Sequence, residues 1–204
     1  MRRIEILTTG GTIEKTYDEY TGELSNRGSI VRRMIRRLKL PDVTVHIREL
    51  LSKDSLFMTD ADRQAIVEAV RTVLAMSPRP DGVVILHGTD TLCVTGERLH
   101  AALVGDEGAG TGAGGSASPG TRGANVRAEG AGAVVPADGL AVPVVLTGAM
   151  RPYEMKRSDA LQNLTESILA TSLLGAGVYA VAHGKALMFP GVVKDRAKGT
   201  FVRG

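Results

Sequence analysis

The stretch Asp81-Gly82-Val83-Val84-Ile85-Leu86-His87-Gly88-Thr89-Asp90-Thr91 (81–91) decides how the chain is read. Val83 to Leu86 is a short apolar run rich in β-branched residues, with Gly82 before it and Gly88 after it. A run this short and this apolar predicts a strand buried on both faces, as in a parallel sheet. The chain then turns and enters a helix expected to begin near Leu92. Thr89, Asp90 and Thr91 are crowded into that turn. Ligands of open α/β sheets sit in the crevice beyond the carboxyl ends of the strands. These side chains therefore stand where chemistry is expected. A plainer role is also open to them, since Thr89 or Asp90 could cap the helix by accepting backbone N–H bonds.

A second turn of the same kind lies near the start of the sequence. Residues 4–8 (IEILT) predict another short strand, which runs into Thr9-Gly10-Gly11-Thr12-Ile13. Both strands end in glycine followed by threonine, so Thr12 and Thr89 can face one crevice. The Gly10-Gly11 pair does not make a dinucleotide turn, because no third glycine follows at the required spacing. No Gly-Lys-Ser/Thr phosphate loop is present either.

Between these turns the pattern alternates strand and helix. Residues 14–28 are polar and glycine-punctuated, a loop carrying Tyr17 and Tyr20 that is placed to cover the crevice. Residues 29–39 predict a helix with Ile30, Val31, Met34, Ile35 and Leu38 on one stripe and Arg32, Arg33, Arg36 and Arg37 on the other. The arginines read as a solvated face, not a nucleic-acid surface, because no aromatic residue is interleaved for base stacking. Residues 43–50 predict a strand, followed by a loop containing Ser55. Thr59 with Asp62 three residues on then resembles a capping box, for a helix expected to bury Ile66, Val67, Val70, Val73 and Leu74.

The helix after Thr91 is expected to reach about Val104. Residues 105–139 are mostly Gly, Ala, Ser and Pro without hydrophobic period, which predicts a disordered insertion with no catalytic role. Val142 to Leu146 predicts a strand ending at Thr147-Gly148. Ser158 or Asp159 is expected to cap a helix whose inner face is Leu161, Leu164, Ile168 and Leu169. Gly177 to Val181 predicts a further strand, Gly184-Lys185 a turn, and Lys194 follows close behind another apolar segment. The β-α repetition implies a three-layer, doubly wound, mainly parallel sheet of Rossmann-like type, with residues 1–204 forming a single domain.

Composition narrows the function. The chain has 204 residues, 43% of them apolar, and a formal net charge of +3, which calls for neither nucleic acid nor an anionic membrane as partner. A single cysteine, Cys93, excludes an internal disulfide and a cysteine-based metal site. No stretch is long enough to span a bilayer, and the apolar run behind the first arginines is too short for a secretory signal. A cytoplasmic location is expected. His87 reads as a packed core histidine, and no metal-ligand spacing occurs, so no cofactor or metal is expected.

The residues left at the crevice are Thr12, Ser55, Thr89, Asp90, a tyrosine and Lys194. They suit nucleophilic hydroxyl chemistry without histidine. A threonine hydroxyl needs a base, which a desolvated lysine or a tyrosine can supply. Backbone N–H groups in the Gly-Thr turns are natural donors to an oxyanion. Amide or ester cleavage fits these parts, and the side chains by themselves go no further.

The motifs go further. TTGGTIEK (8–15) and ILHGTDTL (85–92) resemble the two signature sequences of the bacterial-type L-asparaginase/glutaminase family. VLTGAMRP (145–152) followed by RSDALQNL (157–164) is similar to the family's segment after its fourth strand. The resemblance implies the fold of the family's N-terminal domain. It also implies hydrolysis of the side-chain amide of L-asparagine through an acyl-threonine, with Thr12 as nucleophile and Tyr17, in preference to Tyr20, assisting it. Thr89, Asp90 and Lys194 match the second catalytic set. Ser55 matches the serine that holds the substrate α-carboxylate, and Asp90 would hold the α-amino group. The chain resembles the short, single-domain kind, without the C-terminal domain that completes the site of a neighbouring protomer with an acidic group. A homo-oligomer (dimer or tetramer) is expected. Two other readings remain open: a glutaminase-type ammonia donor, and an amino-acid-binding module with weak turnover.

Overall fold

Strands built from these apolar runs set the frame of the molecule. The computed structural model describes residues 1–25, 29–105 and 140–204. The elements in chain order are β1 (Arg2–Gly10), β2 (Thr16–Tyr17), β3 (Leu24–Ser25), α1 (Val31–Ile35), β4 (Val43–Lys53), α2 (Asp60–Leu74) and β5 (Gly82–Leu86). They continue with α3 (Leu92–Leu103), β6 (Pro143–Thr147), α4 (Ala160–Leu173), β7 (Gly177–Ala182), β8 (Lys185–Met188), β9 (Val192–Asp195) and β10 (Thr200–Arg203). Single 3₁₀ turns occupy Thr12–Glu14 and Ser55–Phe57.

Six strands form one sheet in the order β4-β1-β5-β6-β7-β8. The ladders from β4 through β7 are parallel, and β8 closes the sheet as an antiparallel hairpin partner of β7. The chain passes from β1 outward to β4 and then returns to place β5 on the other side of β1. The β1/β5 junction is therefore the switch point of the winding, where α/β sheets open a crevice. In register, Thr8 lies opposite Leu86, so the two Gly-Thr turns leave the sheet side by side.

Side-chain alternation along the strands fills both faces. Leu7, Val83, Ile85, Val144 and Leu146 pack with Ile66, Val70, Leu92 and Leu99 of α2 and α3. Ile4, Ile6, Val84, Leu86 and Val145 pack with Val31, Met34, Leu164 and Ile168 of α1 and α4. This is the three-layer architecture that the strand-helix repetition implies. The Thr59 capping box is present: Thr59 Oγ1 accepts from Asp62 N at 3.2 Å, and Asp62 Oδ2 accepts from Thr59 N at 2.7 Å.

Several boundaries differ from the sequence reading. α1 covers Val31–Ile35 and not 29–39; Arg37 N and Leu38 N bond three residues back, to Met34 O and Ile35 O, so the helix tightens and ends. In α4, Leu169 is exposed and not on the inner face, because the stripe through Leu164 and Ile168 leaves it on the far side. Asp159 stands at the N-cap of α4 without a capping bond, while Ser158 Oγ accepts from Ala160 N at 3.1 Å. Residues 106–139, the Gly/Ala-rich insertion but for its first residue, lie outside the described residues. Among the described residues, no helix is long and apolar enough to cross a membrane.

Candidate active site

The site begins with two glycines. Gly11 has φ 81, a left-handed conformation that suits glycine, and a Cβ placed on it would lie 2.5 Å from Gly88 Cα. A Cβ on Gly88 would in turn lie 2.4 Å from Ser55 Oγ. The turns after β1 and β5 thus touch backbone to backbone, with the 3₁₀ turn at Ser55 packed against them. Thr12 and Thr89 each follow directly on one of the touching glycines. The loop carrying Ser55 is tied in further by Gly11 N donating to Lys53 O at 3.0 Å and Thr91 Oγ1 donating to Ser55 O at 2.9 Å.

Lys194 enters this crevice from β9. Its Nζ lies 2.8 Å from Thr89 Oγ1 and 2.9 Å from Asp90 Oδ1. Both Lys194 and Asp90 are largely sheltered from solvent. Thr89 and Asp90 therefore do not cap α3; its N-cap is Thr91, which makes no capping bond. Arg196, which no motif in the sequence singles out, adds a second cation 3.4 Å from Asp90 Oδ1.

Ser55 is buried, and its Oγ has no hydrogen-bond partner among the described residues. A buried hydroxyl without a partner is a donor and acceptor in waiting. Asp54 beside it pairs with Lys15, at 2.9 Å, which clamps the end of the Thr12 turn to the Ser55 turn. The Lys15 hydrogen bond, together with that from Leu56 N, holds the Asp54 carboxyl below its usual range. Glu14 is buried behind the Thr12 turn and accepts from Gly10 N at 2.9 Å. Desolvation pushes its carboxyl up against the pull of its hydrogen bonds.

Tyr17 is not tied to this group by a hydrogen bond among the described residues. It sits exposed on the β2–β3 hairpin, with its hydroxyl turned over Gly22 of the same hairpin. It makes no hydrogen bond with Thr12 among the described residues, and Tyr20 is more exposed still. The hairpin is anchored by Tyr17 N donating to Glu154 Oε2 at 3.2 Å, and Glu154 also pairs with Arg33.

His87 is a core residue. Its Nδ1 lies 2.8 Å from Gly88 O and its Nε2 lies 2.9 Å from Thr95 Oγ1. The carbonyl can only accept, which assigns the proton to Nδ1 and leaves Nε2 to accept from Thr95. Burial pulls its pKa down to about 4. Cys93 is half-buried, and burial raises its thiol to about 11, so it is protonated and unreactive at neutral pH. Among the described residues, no cluster of three or more His, Cys, Asp or Glu side chains is arranged to hold a metal.

Known proteins share this sequence pattern and this fold. Residues 3–108 and 132–200 match the family model described as "Asparaginase, N-terminal". A glutamyl-tRNA(Gln) amidotransferase subunit from Aeropyrum pernix is 29% identical over 190 residues, covering 90% of this chain and 35% of that protein. L-asparaginase 1 of Escherichia coli (strain K12) is 28% identical over 172 residues, covering 82% of this chain and 39% of that protein. The thermostable L-asparaginase of Thermococcus kodakarensis shares the fold with a TM-score of 0.74 at 24% identity, covering 98% of this chain and 51% of that one. The chain thus spans about half, or less, of the length of the relatives it matches. With the matched segments running through both Gly-Thr turns and through Lys194, the chain belongs to the asparaginase N-terminal domain family.

Proposed function

We propose that this chain carries the catalytic machinery of an amidohydrolase that cleaves the side-chain amide of L-asparagine to L-aspartate and ammonia. The observation that carries the reading is Lys194 Nζ, within hydrogen-bond distance of both Thr89 Oγ1 and Asp90 Oδ1, beside the turn that presents Thr12. Thr12 Oγ1 attacks the amide carbon, and its proton passes to the leaving nitrogen. Backbone N–H groups of the Gly-Thr turns receive the oxyanion. The tetrahedral adduct collapses with loss of ammonia, leaving an ester on Thr12. Water then attacks that ester and gives up a proton through Thr89 and Lys194. The acyl C–Oγ1 bond breaks, the relayed proton returns to Thr12 Oγ1, and the product leaves as aspartate with its second proton lost to solvent. Tyr17 assists Thr12 if the hairpin swings inward. Ser55 Oγ binds the α-carboxylate, and Asp90 binds the α-amino group.

The machinery is proposed to act in the cytoplasm and in a homo-oligomer, with a further segment or a second copy closing the crevice. No cofactor is part of the reaction as drawn. A glutaminase reading is the second choice, favoured by the similarity to the glutamyl-tRNA(Gln) amidotransferase protein of Aeropyrum pernix. Ammonia release from asparagine and from glutamine tests both together. Turnover of asparagine that disappears in Thr12→Ala and in Thr89→Val supports the asparaginase, and preference for glutamine supports the second reading. Saturable binding of either amino acid without ammonia makes the chain a binding module and overturns both.

A further inference from the structure

Lys194 is carried on a ribbon that is separate from the main sheet, since β9 and β10 pair with each other as a two-stranded unit. In that ribbon Lys194 lies opposite Phe201, and Asp195 lies opposite Thr200. Thr200 Oγ1 is 3.0 Å from His183 Nδ1, and His183 Nε2 is 2.9 Å from Asp159 Oδ2. Asp159 also accepts from Met150 N at 2.9 Å and from Arg151 N at 3.0 Å, in the turn that follows β6. Gly148 of that turn packs against the other side of the site, where a Cβ would stand 2.3 Å from His87 O and 3.0 Å from Thr89 Cγ2. A continuous line of hydrogen bonds therefore runs from the turn pressed on Thr89 to the ribbon that carries Lys194.

The proton between His183 and Asp159 can be assigned. Burial would raise the Asp159 carboxyl, but donors from Met150 N, His183 and Arg151 N outweigh it and hold the group ionised. An ionised carboxylate only accepts, so His183 Nε2 carries the hydrogen. Nδ1 of the same ring is the atom that meets the Thr200 hydroxyl.

The residue type at position 183 is informative. His183 and Gly184 form the two-residue loop between β7 and β8, with φ 54 and 74. Loops with two left-handed residues favour Asn-Gly, and histidine there is strained by about 1 kcal/mol or more. An asparagine would make the better turn, yet its side chain is too short to reproduce the ring's two opposed contacts.

We infer that His183, with Asp159 and Thr200, is a positioning clamp that sets Lys194 against Thr89. The role rests on the reading of Lys194 as a proton relay. The test is made on the full chain. His183→Asn is expected to lower kcat for asparagine by about 10- to 100-fold, with KM within about twofold and a thermal midpoint no lower than the parent's. Thr200→Val is expected to lower kcat in the same way, and Thr200→Ser to restore it. Independently of turnover, the rate at which Lys194 reacts with trinitrobenzenesulfonate, followed by peptide mass spectrometry, should change several-fold in His183→Asn and Thr200→Val but not in Thr200→Ser. A parent chain without turnover, whose Lys194 labelling still responds to these substitutions, removes the amidohydrolase reading and leaves the clamp standing. Parental kcat and labelling in both His183→Asn and Thr200→Val overturn the clamp. So does a fall in kcat matched by a fall in the thermal midpoint, which marks a merely structural tie.

Discussion

Lys194 Nζ lies 2.8 Å from Thr89 Oγ1, across 105 positions of sequence. Two residues that share no strand ladder are thus brought to one point, and the same amine reaches Asp90 at 2.9 Å. The pairing predicts that these side chains act as one unit.

Lys194→Met and Thr89→Val should each lower asparagine turnover by about 10²- to 10⁴-fold, the range of a lost proton-transfer partner. The double variant should be no more than a few-fold worse than either single one, because groups that act together lose activity together. Steady-state ammonia release checks this, and multiplicative losses would separate the two residues. Lys194→Arg should not rescue, since a guanidinium keeps its proton.

Ser55→Ala should divide stability from binding. Ser55 Oγ is buried without a partner among the described residues, so its removal strands none of their groups and should shift the unfolding free energy by less than about 1 kcal/mol. KM for the amino-acid substrate should nevertheless rise by about tenfold or more, as for the loss of a hydrogen bond to a charged group. Urea titration and initial-rate kinetics read the two effects separately. A raised KM accompanied by severe destabilisation would count against a binding role.

Gly11→Ala should be costly. The new methyl would lie 2.5 Å from Gly88 Cα at a φ of 81, so backbone must move and the residue is strained as well. A loss of about 2–3 kcal/mol is expected by denaturant unfolding. Gly175→Ala, where a Cβ meets nothing within 4 Å among the described residues, should change stability by less than about 0.5 kcal/mol.

His87 should make stability depend on pH on the acid side. Its folded pKa is lowered from 6.5 to about 4. Above pH 6.5 both states are neutral at this residue, and its contribution is fully present. As pH falls from 6.5 toward 4, the unfolded chain binds a proton that the buried ring refuses, so stability declines through that window. The loss attributable to His87 is on the order of 3 kcal/mol. Denaturant titrations across the window should therefore show a shallower decline in His87→Gln than in the parent chain.

How much is legible in the sequence varies by residue. Val83 to Leu86 is buried at every position, as an apolar run between glycines implies, because such a run has no face to give to water. Thr59 and Asp62 form their box because capping is settled within a single turn of chain. Leu169 and the last residues of the 29–39 segment depart from the periodicity for a related reason. Periodicity marks a stripe, but the neighbouring layer decides how wide the stripe is and where the helix stops.

The chain's own order of residues determined that two glycine-threonine turns end buried strands, and that His87 lies in the core. These follow from local sterics and from apolar patterning, which act over a few residues. Only the tertiary structure decided that the winding switches between β1 and β5, that Gly11 rests on Gly88, and that a ribbon brings Lys194 to Thr89. The Asp159–His183–Thr200 line belongs with these, since no spacing in the sequence announces it. Contacts between distant segments depend on which strands become neighbours, and that choice is made by the packing of the whole sheet.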